Sequence, residues 1–336
     1  MRYSQRSTKL CQHFATVLSF FICWVLLHQP AMAAIPALPT VEGEAIILID
    51  ADTGQVLGAK NPDVKLPMAS TTKIMTALIA LEKGSLDDTI TLSEEAALQE
   101  GSSMYTSPGE SYSLEEMLYG LMLNSGNDAA WALAEHIGGS VSSFVEAMNE
   151  RARELGAVHT HFANPSGLPD PQHYSTARDL ALIAKAAMER EDFRRIVSTK
   201  ARNVPWPVKD TDKLLINHNR LLWRYEGADG IKTGYTNEAR QCLVASATRG
   251  DQRLIAVVLK SEGNSVWTDA EQLCDWGFAN FANRVLVRAG DELETVPVER
   301  GVTDSIVAIA DRDLKVTLPK DEIDQVQTVV QELPAS

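Results

Sequence analysis

The stretch that decides the fold runs from Ser70 to Gly84 and reads STTKIMTALIALEKG. Its apolar residues recur at helical spacing and its last glycine is a typical helix stop, so we predict a helix from about Thr71 to Lys83. If Ser70 opens this helix, the spacing of three residues places Lys73 one turn further along the same face. The sequence therefore predicts a serine and a lysine side by side at the beginning of a helix.

Predicted strands lie on both sides of a largely helical middle. Asp52-Thr53-Gly54 is a turn signal between two β-like runs, and Arg249-Gly250-Asp251 separates two others. Ser113 and Glu116 have the spacing of a capping box. The predicted strands are 44–50, 56–59, 243–247 and 254–259, and the further predicted helices are 113–124, 127–137, 141–155, 176–189 and 266–281. This order favours an α/β domain.

The end of the chain differs from the rest in its predicted secondary structure. Four short β-like runs, 285–287, 296–298, 306–309 and 316–318, are separated by glycine and aspartate turns. We predict one domain over residues 34–283 and a small C-terminal β module over residues 284–336, which we expect to be incomplete. No basic amphipathic segment closes the sequence, so we expect no membrane anchor there.

The first 33 residues have the pattern of a targeting segment rather than of a folded one. Three basic residues precede an apolar run over residues 14–27, and Ala31-Met32-Ala33 supplies the small residues that a signal peptidase reads. The run is shorter than the about 20 apolar residues that a membrane span needs. We predict a signal peptide over residues 1–33, no transmembrane segment in the mature chain, and export to the periplasm or the outer face of the cytoplasmic membrane.

Charge and cysteine usage narrow the possible partners. The chain has 45 acidic and 31 basic residues, and its formal charge of −14 repels polyanions, so we predict no nucleic-acid partner. Beyond the leader, Cys242 and Cys274 are too few for a disulfide framework, and either a bond between them or two buried thiols stays open. His159 and His161 lack the His-Glu-x-x-His pattern, so we predict no metal site and no cofactor.

Three short elements carry the candidate chemistry, although each alone has an ordinary structural explanation. Ser70-x-x-Lys73 pairs a hydroxyl with an amine that can act as a base if burial and nearby positive charge lower its pKa. Ser125-Gly126-Asn127 lies between two predicted helices and alone indicates a polar turn. Lys232-Thr233-Gly234 sets a cation and a hydroxyl beside a glycine, which suits binding of a carboxylate against open strand backbone.

Taken together and in this order, the three elements resemble the active site shared by penicillin-binding proteins and serine β-lactamases. The flanking segments 101–104, 125–130, 164–168 and 229–236 are similar to those of the low-molecular-mass D-alanyl-D-alanine carboxypeptidases. The resemblance covers residues 42–283 well and 284–336 loosely. It implies a serine β-lactamase and penicillin-binding-protein transpeptidase-like fold, an antiparallel sheet flanked by helices. It also implies peptidoglycan stem peptides as substrates and β-lactam antibiotics as covalent inhibitors.

The resemblance implies catalytic roles for the residues of the first two motifs. Ser70 would attack the carbonyl of the penultimate D-Ala in a stem pentapeptide, leaving an acyl-enzyme for water to hydrolyse. Lys73 would take the serine proton. Ser125 would relay a proton towards the leaving amine, and Asn127 would hold the substrate amide and the Lys73 side chain.

The resemblance also implies how the substrate is bound. Lys232 and Thr233 would receive the terminal carboxylate, and Gly234 would leave the strand open to it. The backbone N–H groups of Ser70 and Tyr235 would form the oxyanion hole.

Two positions depart from the family pattern. Family members usually have glycine where Arg240 stands, and many carry an arginine near the start of the last helix, where this chain has Val266-Trp267-Thr268. We hypothesise that Arg240 compensates by placing a guanidinium near the substrate carboxylate. The alternative is a solvent-facing arginine.

Other functions remain as alternatives to the carboxypeptidase. A class A β-lactamase would need a Glu-x-x-Leu-Asn stretch between the second and third motifs, and none occurs. A D,D-endopeptidase that cleaves cross-links would use the same nucleophile and base. A catalytically silent peptidoglycan-binding protein would keep the fold, although it would have no need for a base beside a serine.

Overall fold

A computed structural model describes residues 36–297 and 305–326, so the predicted signal peptide lies outside the described residues. The strands are β1 (Ala45–Asp50), β2 (Val56–Lys60), β3 (Thr89–Thr91), β4 (Ser111–Ser113), β5 (Ala201–Pro205), β6 (Asp212–Ile216), β7 (Ala228–Thr236), β8 (Arg240–Arg249), β9 (Gln252–Ser261), β10 (Phe281–Val287), β11 (Glu292–Pro297), β12 (Ser305–Ile309) and β13 (Leu314–Pro319). Five of them form one antiparallel sheet in the order β2-β1-β9-β8-β7. The strand β7, which carries the third motif, is therefore an edge strand.

The helices of the described residues lie between β2 and β10 in chain order. They are α1 (Lys73–Lys83), α2 (Glu94–Ala97), α3 (Leu114–Leu123), α4 (Asn127–Gly138), α5 (Val141–Glu154), α6 (Ala177–Met188), α7 (Glu191–Ser198), α8 (Leu221–Arg224) and α9 (Ser265–Asn280). The predicted capping box at the start of α3 is present, with Ser113 and Glu116 each accepting a backbone N–H from the other.

Both faces of the main sheet are covered, which explains why its central strands are almost continuously apolar. Successive side chains point to opposite faces of a strand. In β1, Ile46 and Leu48 pack with the core under α9, whereas Ile47 and Ile49 belong to the larger core formed with α1 and α3–α7. The predicted α/β class, with an antiparallel sheet flanked by helices, is confirmed.

The first helix begins later than the sequence indicates. The helix α1 starts at Lys73, because residues Ala69–Thr72 form a 3-10 turn. Two threonine hydroxyls of this turn donate to backbone carbonyls three residues earlier, at 2.6 and 2.7 Å, and these bonds compete with regular helix geometry. Ser70 thus lies inside a tight turn and does not open the helix.

Two short β pairs were not predicted from the sequence. The strands β3 and β4 have three residues each, and the hairpin β5–β6 is rich in polar residues. Lys213 in β6 is buried, and its amine donates to the backbone carbonyl of Tyr105 and to the Tyr112 hydroxyl, both at 2.7 Å. This long-range anchor holds the hairpin together with the buried side chains of Val204 and Leu215.

The predicted C-terminal β module is confirmed. The strand β10 pairs with β13 and β11 pairs with β12, and β10 crosses the predicted boundary at residue 284. A hydrogen bond between the Thr53 and Thr317 hydroxyls and one from the Lys315 amine to Asp52, each of 2.7 Å, join the module to the first hairpin.

Two open points of the sequence analysis concern the described part of the chain. Cys242 and Cys274 are both buried free thiols. Within residues 36–297 and 305–326, no helix has the length and apolar character needed to cross a membrane.

Candidate active site

The turn that carries Ser70 is held by long-range contacts. Its first residue, Ala69, has a φ of +48°, a left-handed conformation that costs a residue with a Cβ about 1–2 kcal/mol. The buried His173 accepts the Ala163 N–H at Nδ1, so Nε2 carries the proton that it donates to Thr72 Oγ1 over 2.7 Å. Burial lowers the pKa of His173 to about 4, which keeps this ring neutral. Tertiary packing therefore fixes a strained turn around the serine.

Lys73 is fully buried at the start of α1, and its amine lies beside this serine. Lys73 Nζ is 3.1 Å from Ser70 Oγ, and it donates to Asn127 Oδ1 at 2.7 Å and to the backbone carbonyl of Ser166 at 2.6 Å. Burial, followed by the charge of Lys232, holds the pKa of Lys73 well below its usual range. A lowered pKa favours the neutral amine, and a neutral amine can accept the proton of a neighbouring hydroxyl.

The second motif forms the junction between α3 and α4. Ser125 is buried, has a φ of +61° and lines the cleft beside Ser70. Asn127 begins α4 but does not cap it, because its amide oxygen holds Lys73 and its amide nitrogen donates to the carbonyl of Glu100 at 2.5 Å. The two ends of one amide thus connect the lysine to the loop on the far side of the cleft.

The third motif brings the edge strand β7 against the serine turn. A Cβ on Gly234 would lie 3.0 Å from the backbone nitrogen of Ser70 and 3.1 Å from the carbonyl oxygen of Met68, so glycine is needed for this approach. Lys232 is buried, and burial lowers its pKa to about 7. Tyr235 follows on the strand and is half exposed.

The loop at residues 164–168 places a carbonyl on the lysine. The Asn164 side chain accepts backbone N–H groups of this loop, among them that of Gly167 at 2.7 Å, and this directs the Ser166 carbonyl at Lys73. Gly167 has a φ of +89°, and a Cβ there would lie 2.0 Å from the Ala69 carbonyl oxygen. The sequence analysis used this loop only as a point of resemblance, because a backbone acceptor leaves no signal in side-chain motifs.

A buried carboxylate supports the opposite wall of the cleft. Asp128 accepts hydrogen bonds from the Ser103 hydroxyl at 2.6 Å, from the Met104 N–H at 3.1 Å, and from both the hydroxyl and the N–H of Thr106. Asp128 directly follows the second motif in the sequence. In the structure it shapes the loop that faces the second motif.

The three motifs converge on one cleft of about 320 Å³. Its lining comprises Ser70, Ser102, Ser125, His218, Arg220, Thr233, Gly234, Tyr235, Gln241, Asn264 and Trp267. The Arg220 guanidinium lies at this cleft, 3.5 Å from Asn264 Oδ1 and 5.8 Å from the centre of the Trp267 ring. Arg220 precedes α8, and the sequence analysis did not single it out.

Arg240 does not line this cleft, which corrects the sequence hypothesis. Its guanidinium lies 3.6 Å from Glu262, and its side chain is half exposed. Arg240 is the first residue of β8, has a φ of +53° rather than extended strand geometry, and pairs with Thr236, which lies beyond the last β7 residue on the cleft lining. A guanidinium is present at the cleft, but it comes from another element.

This geometry defines a class of protein. A serine hydroxyl lines one cleft on an antiparallel sheet flanked by helices, a buried amine contacts this serine, and a second buried lysine lies on the edge strand beside it. This is the arrangement of a serine acyl-transfer enzyme with the penicillin-binding-protein fold.

The comparisons with known proteins specify the family. Residues 32–263 match the D-alanyl-D-alanine carboxypeptidase family and residues 281–335 match the penicillin-binding protein 5 C-terminal domain. The chain belongs to the D-alanyl-D-alanine carboxypeptidase family and is a serine-type peptidase.

Individual relatives agree with this assignment. The D-alanyl-D-alanine carboxypeptidase DacF of Bacillus subtilis is 41% identical over 271 residues, which are 77% of this chain and 68% of the relative. DacB2 of Mycobacterium tuberculosis is 40% identical over 257 residues, 75% and 87% of the two chains. The solved structure of DacD from Francisella tularensis superposes with a TM-score of 0.74 at 30% identity, covering 89% of this chain and 86% of that one. A Streptomyces K15 DD-transpeptidase variant gives 0.69 at 36% identity, covering 72% and 99%.

Proposed function

We propose that the protein is an exported D,D-carboxypeptidase that removes the terminal D-Ala from peptidoglycan stem pentapeptides through an acyl-enzyme on Ser70. One observation carries the proposal: the fully buried amine of Lys73 lies 3.1 Å from Ser70 Oγ. A silent binding protein would have no use for that pair, which favours the enzyme over a peptidoglycan-binding role.

Acylation uses the lysine as the general base. Ser70 Oγ bonds to the carbonyl carbon of the penultimate D-Ala while its proton passes to the neutral Lys73 amine. The carbonyl oxygen becomes an oxyanion, which the N–H groups of Ser70 and Tyr235 receive. When the C–N bond breaks, the proton reaches the leaving D-Ala amine by way of Ser125.

Deacylation reverses the proton path with water as the nucleophile. Water attacks the ester carbon, a proton returns to Ser70 Oγ, and the shortened peptide leaves as a carboxylate. The polar groups in contact with Lys73 Nζ are the Ser70 hydroxyl, the Asn127 amide and the Ser166 carbonyl. Without a glutamate in this set, penicilloyl esters are expected to persist, and β-lactams therefore act as covalent inhibitors.

The terminal carboxylate of the substrate binds at the side of the cleft formed by Lys232, Thr233 and Arg220. A carboxypeptidase must recognise a free carboxylate, and a guanidinium can bind it through two parallel hydrogen bonds. Arg220 therefore fills the role that the sequence analysis gave to Arg240.

Labelling with a fluorescent penicillin tests the proposal. The wild-type protein should give a band that lasts on a denaturing gel, and Ser70→Ala should abolish it. Ser246→Ala is the matched control, because the Ser246 hydroxyl is also buried but has no hydrogen-bond partner among the described residues. Release of D-Ala from a pentapeptide must disappear together with the band. Label on Ser70→Ala, or peptide hydrolysis without Ser70, would refute the acyl-enzyme.

A further inference from the structure

A buried histidine that the proposed reaction does not use connects two segments of the active site. His173 is 4% exposed and is not on the lining of the catalytic cleft. Its Nδ1 accepts the Ala163 N–H at 3.0 Å, and its Nε2 lies 2.7 Å from Thr72 Oγ1. One imidazole therefore joins the loop that leads to Ser166 and the turn that carries Ser70.

The hydrogen bonds of this connection run in one direction. A backbone N–H can only donate, so the Ala163 amide requires a lone pair on Nδ1 and leaves the proton of the neutral ring on Nε2. The ring then donates to Thr72 Oγ1, whose own proton goes to the Ala69 carbonyl at 2.7 Å. Through Thr72, the histidine thus acts on the residue directly before Ser70.

The positions of both reacting groups depend on the two segments that the ring connects. Ala69, with its left-handed φ of +48°, sets the direction in which the chain enters Ser70. On the other side, the Ser166 carbonyl accepts a hydrogen bond from the Lys73 amine at 2.6 Å, three residues after Ala163. A change in the ring's contacts is therefore felt by the nucleophile and by the loop that holds its base.

The histidine itself is anchored by residues outside the serine turn. The next residue, Tyr174, exchanges two backbone hydrogen bonds of 2.9 and 3.0 Å with His161. Ser175 does the same with Leu66, at 2.8 and 3.0 Å. The Phe162 ring packs edge-on against the imidazole, with the ring centres 5.9 Å apart. A ring that is fixed in this way can hold the turn in position.

We propose that His173 is a positioning residue for acylation, which through Thr72 sets the place of Ser70 relative to the Lys73 amine. The inference rests on the proposed function, because it takes Ser70 as the nucleophile. A misplacement of about 1 Å between a nucleophile and its base lowers the rate by about 10²-fold, so loss of the connection should slow acylation by about 10- to 100-fold. Binding before the reaction should not change, since the ring does not line the cleft.

Replacement of His173 by asparagine tests this role. The shorter amide occupies the Nδ1 side of the ring, so it can accept the Ala163 N–H but has no donor at Thr72. In stopped-flow acylation by a fluorescent penicillin, His173→Asn should lower the maximal rate by about 10- to 100-fold and leave the half-saturating concentration unchanged. His161→Asn is the matched control, because the His161 ring contacts the Gln172 carbonyl instead of the serine turn.

Variants of Thr72 distinguish positioning from a general loss of stability. Thr72→Val removes the hydroxyl and should slow acylation as His173→Asn does, whereas Thr72→Ser keeps the hydroxyl and should rescue the rate. Because the two residues act through one chain of hydrogen bonds, the double variant His173→Asn with Thr72→Val should be no slower than the slower single variant. Effects that multiply in the double variant would contradict the inference, as would equal acylation rates in His173→Asn and His161→Asn.

A measurement on the wild-type protein needs no variant that folds. With ¹⁵N-labelled histidine, NMR at neutral pH should show His173 with a proton on Nε2 and none on Nδ1, and the opposite tautomer would refute the direction of the hydrogen bonds. A wild-type protein that is not acylated at Ser70 would refute the proposed function. Acylation at Ser70 that His173→Asn leaves at the wild-type rate would refute the positioning role alone.

Discussion

Replacing Gly167 with alanine should damage the active site without touching a catalytic side chain. The new Cβ would lie 2.0 Å from the carbonyl oxygen and 2.4 Å from the carbonyl carbon of Ala69, whereas real Cβ contacts do not fall below 3.0 Å. The two backbones must therefore separate by at least about 1 Å. Each of these backbone segments positions a group of the proposed reaction, since Ala69 precedes Ser70 and the Ser166 carbonyl accepts a hydrogen bond from Lys73 at 2.6 Å.

The substitution Gly167→Ala is expected to lower both the folding stability and the reaction rate. Alanine at a φ of +89° costs about 1–2 kcal/mol of folding free energy, and overpacking adds about 1–3 kcal/mol. A misplacement of about 1 Å between a nucleophile and its base lowers the rate by about 10²-fold. Gly156→Ala separates these two effects, because Gly156 has a similar φ of +79° and nothing within 4 Å of its Cβ position.

Stopped-flow acylation by a fluorescent penicillin, together with thermal unfolding, measures both effects. Gly156→Ala should lose only the strain energy and be acylated at the wild-type rate. Gly167→Ala should unfold at a lower temperature than this control and be acylated about 10²-fold more slowly. If the two variants acylate equally fast, the contact between this loop and the serine turn does not position the nucleophile.

Three further predictions concern charge. Arg220→Gln should lower kcat/KM for a D-Ala-D-Ala peptide by about 10- to 100-fold, because a charge-assisted hydrogen bond is worth about 1.5–3 kcal/mol. Arg240→Gln should leave kcat/KM unchanged, and equal losses in the two variants would contradict the placement of the carboxylate. The kcat/KM for peptide hydrolysis should rise with pH as Lys73 loses its proton. It should fall above about pH 7, because burial lowers the pKa of Lys232 to about 7 and the neutral lysine no longer binds the carboxylate. The falling limb should move to higher pH in Lys232→Arg, and an unmoved limb in the pH profile of kcat/KM would assign it to another group. Asp128→Asn should lower the free energy of unfolding, measured by denaturant titration, by about 2–4 kcal/mol. The reason is that a buried carboxylate that accepts several hydrogen bonds is replaced by an amide that can accept fewer. A change below about 0.5 kcal/mol would contradict this prediction.

Most regular elements could be predicted because their signals are local. The helices α3–α6 and α9 follow apolar periodicity and caps, and the central strands are almost continuously apolar. The hairpin β5–β6 could not be predicted, since the buried Lys213 that anchors it looks like a surface residue in the sequence. The 3-10 turn at Ala69–Thr72 was missed for a related reason: its strained φ is stabilised by distant residues such as His173.

The order of three short motifs was visible in the sequence without any structure. By their resemblance to one family they predicted Ser70 as the nucleophile, Lys73 as its base and Lys232 as the cation that binds the carboxylate. Their resemblance to one family was sufficient to identify it.

The pKa values of these groups and the residues that surround them could be read only from the folded chain. The lowered pKa of Lys73 and of Lys232 arises from burial, which depends on packing between segments far apart in sequence. The choice between Arg220 and Arg240 depended on which segments the fold brings to the cleft, since Arg220 lies at its lining and Arg240 lies beside Glu262. Desolvation and proximity are properties of the folded chain, and for that reason no local pattern could supply them.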